Sequence, residues 1–256
     1  MKNKALHDLN FKKLLEYPEV FQPQNYYEDP IPCERFCIEC ETSGTLAKAG
    51  GTLTLMSHGC DSSDFESILG SRPNVANDIN DPIMFLLEDP GGDDGDIRNE
   101  VTQSTVTKKI PTTHYYFSPT VSSWPQTIGD VIQNKNFYGT YFAYLMQRHC
   151  LANVYITNMV KCKKEPKGNR SLIEEKCVSK FLSREIQAFE PKLVFCFRKE
   201  ILPVMQFRFP NIPAVWLYHP VYIQAYCRRH HRTPTEVAQE NDQRIEAALA
   251  DAGMKV

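Results

Sequence analysis

An α/β fold, a three-layer α/β/α sandwich around a central, mostly parallel four-stranded sheet, is what this sequence predicts. Three observations predict it. Four short runs, IMFLL (83–87), NVYIT (153–157), KLVFCF (192–197) and AVWLY (214–218), are rich in β-branched and aromatic residues and nearly continuously apolar, as strands buried on both faces are. Between them lie stretches with apolar residues three and four apart, the helical period. The two patterns alternate along the chain, which sets the strands parallel and the helices on their faces. With 256 residues, 42% hydrophobic and 23% charged, the chain can bury a sizeable core, and it reads as one domain over 1–256.

Taken in order, MKNKALHDLNFKKLLEYPEV is an amphipathic helical pattern broken by charges, opening an N-terminal segment over 1–60. It holds no apolar stretch of signal-peptide length, and no run in the chain approaches membrane-spanning length, so a cytoplasmic protein without a membrane partner is expected. The first strand, 83–87, is followed by a long insertion over 93–135, rich in Asp, Thr, Ser and Pro with one β-like island, THYYFS. It reads as an irregular excursion over the sheet edge, where functional loops tend to sit. FYGTYFAYLMQRHCL is a helix before the second strand, and SLIEEKCVSKFLSREIQAFE a helix that stops before Pro191. The C-terminal pattern predicts a helix over 235–253, capped by Thr235 and closed by Gly253.

The net charge of −2 leaves no overall positive field, so any contact with nucleic acid must come from local patches. KCKKEPKGNR has five basic residues to one acid, and RRHHR (228–232) is a second basic cluster. Nine cysteines is a high count, and CERFCIEC (33–40) groups three of them. In a reducing compartment such clusters are metal ligands more often than disulfides. Cys196, inside LVFCF, reads as a small buried hydrophobe, while Cys60 and Cys150 have no partner at ligand spacing. Ligands of open α/β sheets bind beyond the carboxyl ends of the strands. There the sequence places LEDPGGDDGD after the first strand, NMVKCKKEPKGNR after the second and HPVY after the fourth. A carboxylate, an amide and an imidazole are thus expected on one rim.

The strand–EDPG turn, the VYITNMVKC run with GNR after it, and the late HPVY, in that order, resemble the uracil-DNA glycosylase superfamily. The match is nearest to its iron–sulfur branch, family 4, which pairs a G-E-A-P-G turn with V-Y-I-T-N-x-V-K-C-x-P-P-x-N-R and H-P-x-x-L. The resemblance covers residues 83–226 and the cysteines near 40. It implies a DNA glycosylase that flips out a base and hydrolyses its N-glycosidic bond. It also implies a 4Fe-4S cluster on Cys37, Cys40, Cys162 and Cys177, with Cys33 as the spare. Zinc on the same four thiolates is the less favoured alternative. A radical S-adenosylmethionine enzyme would use Cys33, Cys37 and Cys40, but it calls for a βα barrel and an aromatic residue where Glu39 stands.

The same resemblance implies the site residues. The bond breaks through an oxocarbenium-like transition state while charge moves onto the base, so a carboxylate is needed below the sugar and a donor beside the base. Asp89 matches the water-activating Asp of the family 1 turn, G-Q-D-P-Y, and Glu88 the Glu of family 4; Asp89 is the favoured acid. His219 would donate to the base oxygen. Asn158 would read the pyrimidine edge, and Phe137, in NFYG, would stack on the flipped base. Lys161, Lys163, Lys164, Lys167, Asn169, Arg170, Arg228 and Arg229 would contact DNA phosphates. The insertion exceeds what family 4 carries between its turn and P-F-x-G, so the implied substrate is uracil-like or a bulkier modified pyrimidine, such as those of phage DNA. Its biological setting would be repair or antiviral defence, and the chain is expected to act as a monomer. A non-catalytic iron–sulfur relative that only binds nucleic acid is the alternative, although it has no need of the paired acids, Asn158 and His219.

Overall fold

Strands apolar on successive residues need cover on both faces, and the computed structural model of the chain provides it for 83–87, 154–158 and 193–196. The run 214–216, expected to be buried too, is only half-buried because it lies at the edge of the sheet. The structure describes residues 60–61, 79, 81–88, 125–133, 137–160, 175, 177–220, 223, 227 and 229–254. Its strands are β1 (Cys60–Asp61), β2 (Ile83–Leu87), β3 (Val154–Asn158), β4 (Leu193–Cys196) and β5 (Ala214–Trp216), in the spatial order β1-β3-β2-β4-β5. The four strands read from the sequence form the parallel part, with Phe85 opposite Phe195 and Phe195 opposite Val215. The α/β class is thus the one the chain adopts. The short edge strand β1 is an addition: two residues run antiparallel to β3, Cys60 opposite Ile156. Two residues are too few to leave a period in a sequence.

Side-chain alternation sorts the core. Ile83, Phe85 and Leu87 join one hydrophobic cluster, while Met84 and Leu86, which face the other way, are equally buried. At the centre the Phe85 ring lies 5.8 Å from Phe142, 5.9 Å from Phe195 and 5.3 Å from Phe197, and Phe142 meets Phe197 edge-on at 5.2 Å. Tilted and edge contacts of this kind suit the ring quadrupole. Cys196 is fully buried, as its apolar run predicts, and burial pushes its thiol pKa up to about 12.

Two helices flank the first long gap. α1 (Ile128–Gln133) lies inside the 93–135 excursion, which is therefore not irregular to its end. Thr127 and Asp130 form a reciprocal cap there: the Asp130 N–H donates to Thr127 Oγ1 at 3.2 Å and the Thr127 N–H to Asp130 Oδ2 at 2.8 Å. α2 (Phe137–Arg148) closes with Cys150 in the left-handed region at φ 54°. The Leu151 N–H returns to the Met146 carbonyl at 2.9 Å and the Cys150 N–H to Gln147 at 3.4 Å, a Schellman ending. After Cys177, a π-helical turn (Val178–Leu182) leads into α3 (Ser183–Phe189), which ends before Pro191 as expected.

α4 (Ile201–Arg208) packs against β5, with Pro203 in its first turn, where no N–H is missed. The last helix, α5 (Pro234–Asp251), corrects the expected cap. Thr233, not Thr235, is the N-cap, and its side chain accepts the Glu236 N–H at 3.2 Å while Glu236 Oε2 accepts the Thr233 N–H at 2.6 Å. Pro234 takes the first helical position, which its fixed φ favours and which pushes the cap back to Thr233. Gly253 follows the end at φ 68°, the role expected of it.

The chain divides into two compact units, one of Met1–Gly59, Glu88–Thr113 and Asn158–Phe189, the other of Cys60–Leu87, His114–Thr157 and Glu190–Val256. No helix among the described residues is long and apolar enough to cross a membrane.

Candidate active site

In the first unit, Glu88 is the residue that follows β2, and it is only 4% exposed. Its carbonyl accepts the Val160 N–H at 2.8 Å, so the chain leaving β3 is tied to the chain leaving β2. Asn158 is the last residue of β3, and at 2% exposed it keeps its amide out of bulk water. A carboxylate and an amide are seldom this buried without a task or a partner. Strands β2 and β3 are neighbours, and the exchange between Val160 and Glu88 holds their exits in register. Cys177 is 1% exposed and sits immediately before the π-helical turn, a distortion frequent at functional sites.

In the second unit, the chain leaves β5 and reaches His219 after Leu217 and Tyr218. The His219 carbonyl accepts the Ile223 N–H at 3.2 Å, opening a helical segment in which Pro220, Ile223, Cys227, Arg229 and His230 are helical. His219 therefore sits at a helix start with proline next to it, the favoured arrangement. The residue keeps partial exposure, but the burial around its ring lowers its pKa to about 4. The positive end of the helix dipole disfavours the imidazolium in the same sense. At neutral pH the ring is uncharged, so it can donate through one nitrogen and accept through the other.

Of the other expected site residues, Phe137 opens α2, and Arg229 is exposed on the helical segment. Asp89, Lys161, Lys163, Lys164, Lys167, Asn169, Arg170 and Arg228 lie outside the described residues, as do Cys37, Cys40 and Cys162. Among the described residues no group of three or more His, Cys, Asp or Glu could hold a metal ion. The donor set itself fits an iron–sulfur cluster, since four thiolates are what such a cluster takes.

Two buried polar residues were passed over in the sequence, and one of them, Asn241, holds the residue before His219. Asn241 and Asp242, on α5, are buried in a stripe otherwise made of Val237, Ala238, Ile245, Ala248 and Leu249. Asn241 bonds both backbone groups of Tyr218, while Asp242 accepts from Tyr144 at 3.3 Å and meets the His149 ring at 3.0 Å. Their signal was available, because two polar residues stand where the helical period calls for apolar ones. Set against known proteins, residues 73–249, well over half of the chain, match the family described as the uracil DNA glycosylase superfamily. No curated protein sequence matches the chain.

Proposed function

The chain belongs to the uracil DNA glycosylase superfamily, whose members are usually DNA glycosylases, and from that premise we propose that it excises a base from DNA. The base is flipped out of the stack and its N-glycosidic bond hydrolysed, the substrate being a uracil-like or bulkier modified pyrimidine. The observation that carries this reading is the superfamily match over residues 73–249, and His219, at the helix start beyond β5 with its pKa lowered by burial, supports it. A neutral imidazole can donate one N–H to the base oxygen as negative charge collects there, and a donor fixed in a water-excluded site stabilises that charge best. Asn158 reads the base edge from the end of β3, and Phe137 stacks on it. Asp89 activates water and stabilises the sugar cation, with Glu88, buried beside it in sequence, as the second acid. Phosphates are met by Lys161, Lys163, Lys164, Lys167, Asn169, Arg170, Arg228 and Arg229.

The family 4 branch and its cluster belong to the same proposal. Cys37, Cys40, Cys162 and Cys177 would hold four irons, which supply structural cross-linking rather than a catalytic step. The placing of CIEC, VKC and EEKC along the chain supports this reading, because it follows the cysteine pattern of that branch.

The test offers the purified protein duplexes containing uracil, 5-hydroxymethyluracil, hydroxymethylcytosine or glucosylated hydroxymethylcytosine, and looks for abasic sites. Release of at least one base supports the reading. Binding to all four without release of any would leave a nucleic-acid-binding relative in its place.

A further inference from the structure

The sheet stops holding the chain just before His219. The last ladder pair of β5 is Trp216 with Cys196, and the Leu217 N–H still reaches the Cys196 carbonyl at 2.8 Å. Tyr218, the next residue, is held by a side chain instead. Asn241 Oδ1 accepts the Tyr218 N–H at 2.8 Å, and Asn241 Nδ2 donates to the Tyr218 carbonyl at 3.0 Å. One amide facing both backbone groups of a residue reproduces the paired bonds of a sheet ladder, so α5 takes over where β4 ends. The amide is itself fixed: no part of Asn241 is exposed, and Nδ2 also donates to the Tyr141 hydroxyl at 2.8 Å.

Residues on the same side of α5 secure the two rings before His219. The Arg244 guanidinium lies 4.1 Å from the Trp216 ring centroid and 5.1 Å from that of Tyr218, and it donates to the Trp216 carbonyl at 3.2 Å. Glu240 pairs with Arg244 and, at 2.8 Å, with Arg232. An apolar residue at 241 would fill the stripe equally well. An amide with three oriented bonds fixes a position as well as a volume.

We propose that Asn241 is a positioning residue for base release, fixing the Tyr218 peptide and through it the place of the His219 imidazole. The proposal rests on reading His219 as the donor to the leaving base. A displacement of about 1 Å at a reacting group can cost on the order of a hundredfold in rate.

The experiment is a cycle on the full chain. Asn241→Leu removes all three bonds and keeps the volume close. Its single-turnover release of whichever base the duplex panel identifies should fall about tenfold or more, with DNA affinity within about twofold. In a His219→Ala background the same substitution should cause no further fall, because a residue acting through His219 has nothing left to act on. A merely structural role predicts losses that multiply. Should Asn241→Leu not fold, Tyr141→Phe removes one of the bonds on the amide and should move the rate in the same direction by less.

A second readout is independent of catalysis. In an NMR titration of the His219 ring, Asn241→Leu should move the midpoint from near pH 4 toward the ordinary 6.5, as the ring gains water. Absence of base release from the unsubstituted protein counts against the proposed function alone. An unmoved His219 midpoint in Asn241→Leu and Tyr141→Phe, or multiplying rate losses, overturns the role of Asn241.

Discussion

Glu88 and Asp89 are consecutive acids, and only one of them need act on water. Asp89→Asn should cut single-turnover base release by at least about a hundredfold while DNA binding stays close to normal, since phosphate contacts do not depend on the acid. Glu88→Gln should cost less in the same assay; the reverse order would give the chemistry to the buried Glu88. His219 carries a second expectation at this scale. Its pKa falls from the ordinary 6.5 to about 4 in the folded chain because its ring is buried. Between those values the unfolded chain takes up the proton and the folded chain does not, so acidification through that window costs stability. Above pH 6.5 the term is constant. Melting temperatures at pH 7, 5.5 and 4.5 should therefore fall less steeply for His219→Asn than for the unsubstituted protein.

Helix ends show how element-scale chemistry places the site. The Thr233–Glu236 capping box starts α5, and α5 carries Asn241, Glu240 and Arg244 to the strand exit. Thr233→Ala should lower stability by about 1 kcal/mol in thermal or urea unfolding. Thr235→Ala, two residues later and inside the first turn, should stay within about 0.5 kcal/mol, as exposed substitutions without a cap do. At the other end of the same network, Asp242 receives Tyr144 and His149, binding the end of α2 to α5. Asn241, which holds Tyr218 and donates to the Tyr141 hydroxyl, links both helices to the segment that carries His219.

At the scale of the molecule, the proposed cluster gives a colour test. Ser at Cys37, Cys40, Cys162 or Cys177 should remove the straw-brown colour and lower solubility together, because metal binding and folding are coupled. Ser at Cys33 should change neither. If Cys33→Ser bleaches the protein and Cys177→Ser does not, the ligand set is wrong. The insertion over 93–135 is the other large feature. Shortening 97–130 should alter base preference more than DNA affinity, and the salt dependence of binding should persist, since the basic residues proposed to meet phosphates lie at 161–170 and 228–229, outside that segment.

The sequence by itself determined the class and the strands, because a strand buried on both faces must be apolar at nearly every residue, and four runs met that demand within a residue or two. It also located Glu88, Asn158 and His219 at strand exits, through local order along the chain. Local signals were present but passed over for the Thr127–Asp130 cap and the Thr233 cap, where a proline shifts the start by two residues. Only the tertiary structure decided what Asn241 and Asp242 are for. Their spacing announces two polar residues on an apolar stripe, but which backbone groups and rings satisfy them depends on partners about twenty to a hundred residues away. The lowered His219 pKa is of the same kind, since desolvation comes from everything packed around the ring and belongs to no stretch of the chain.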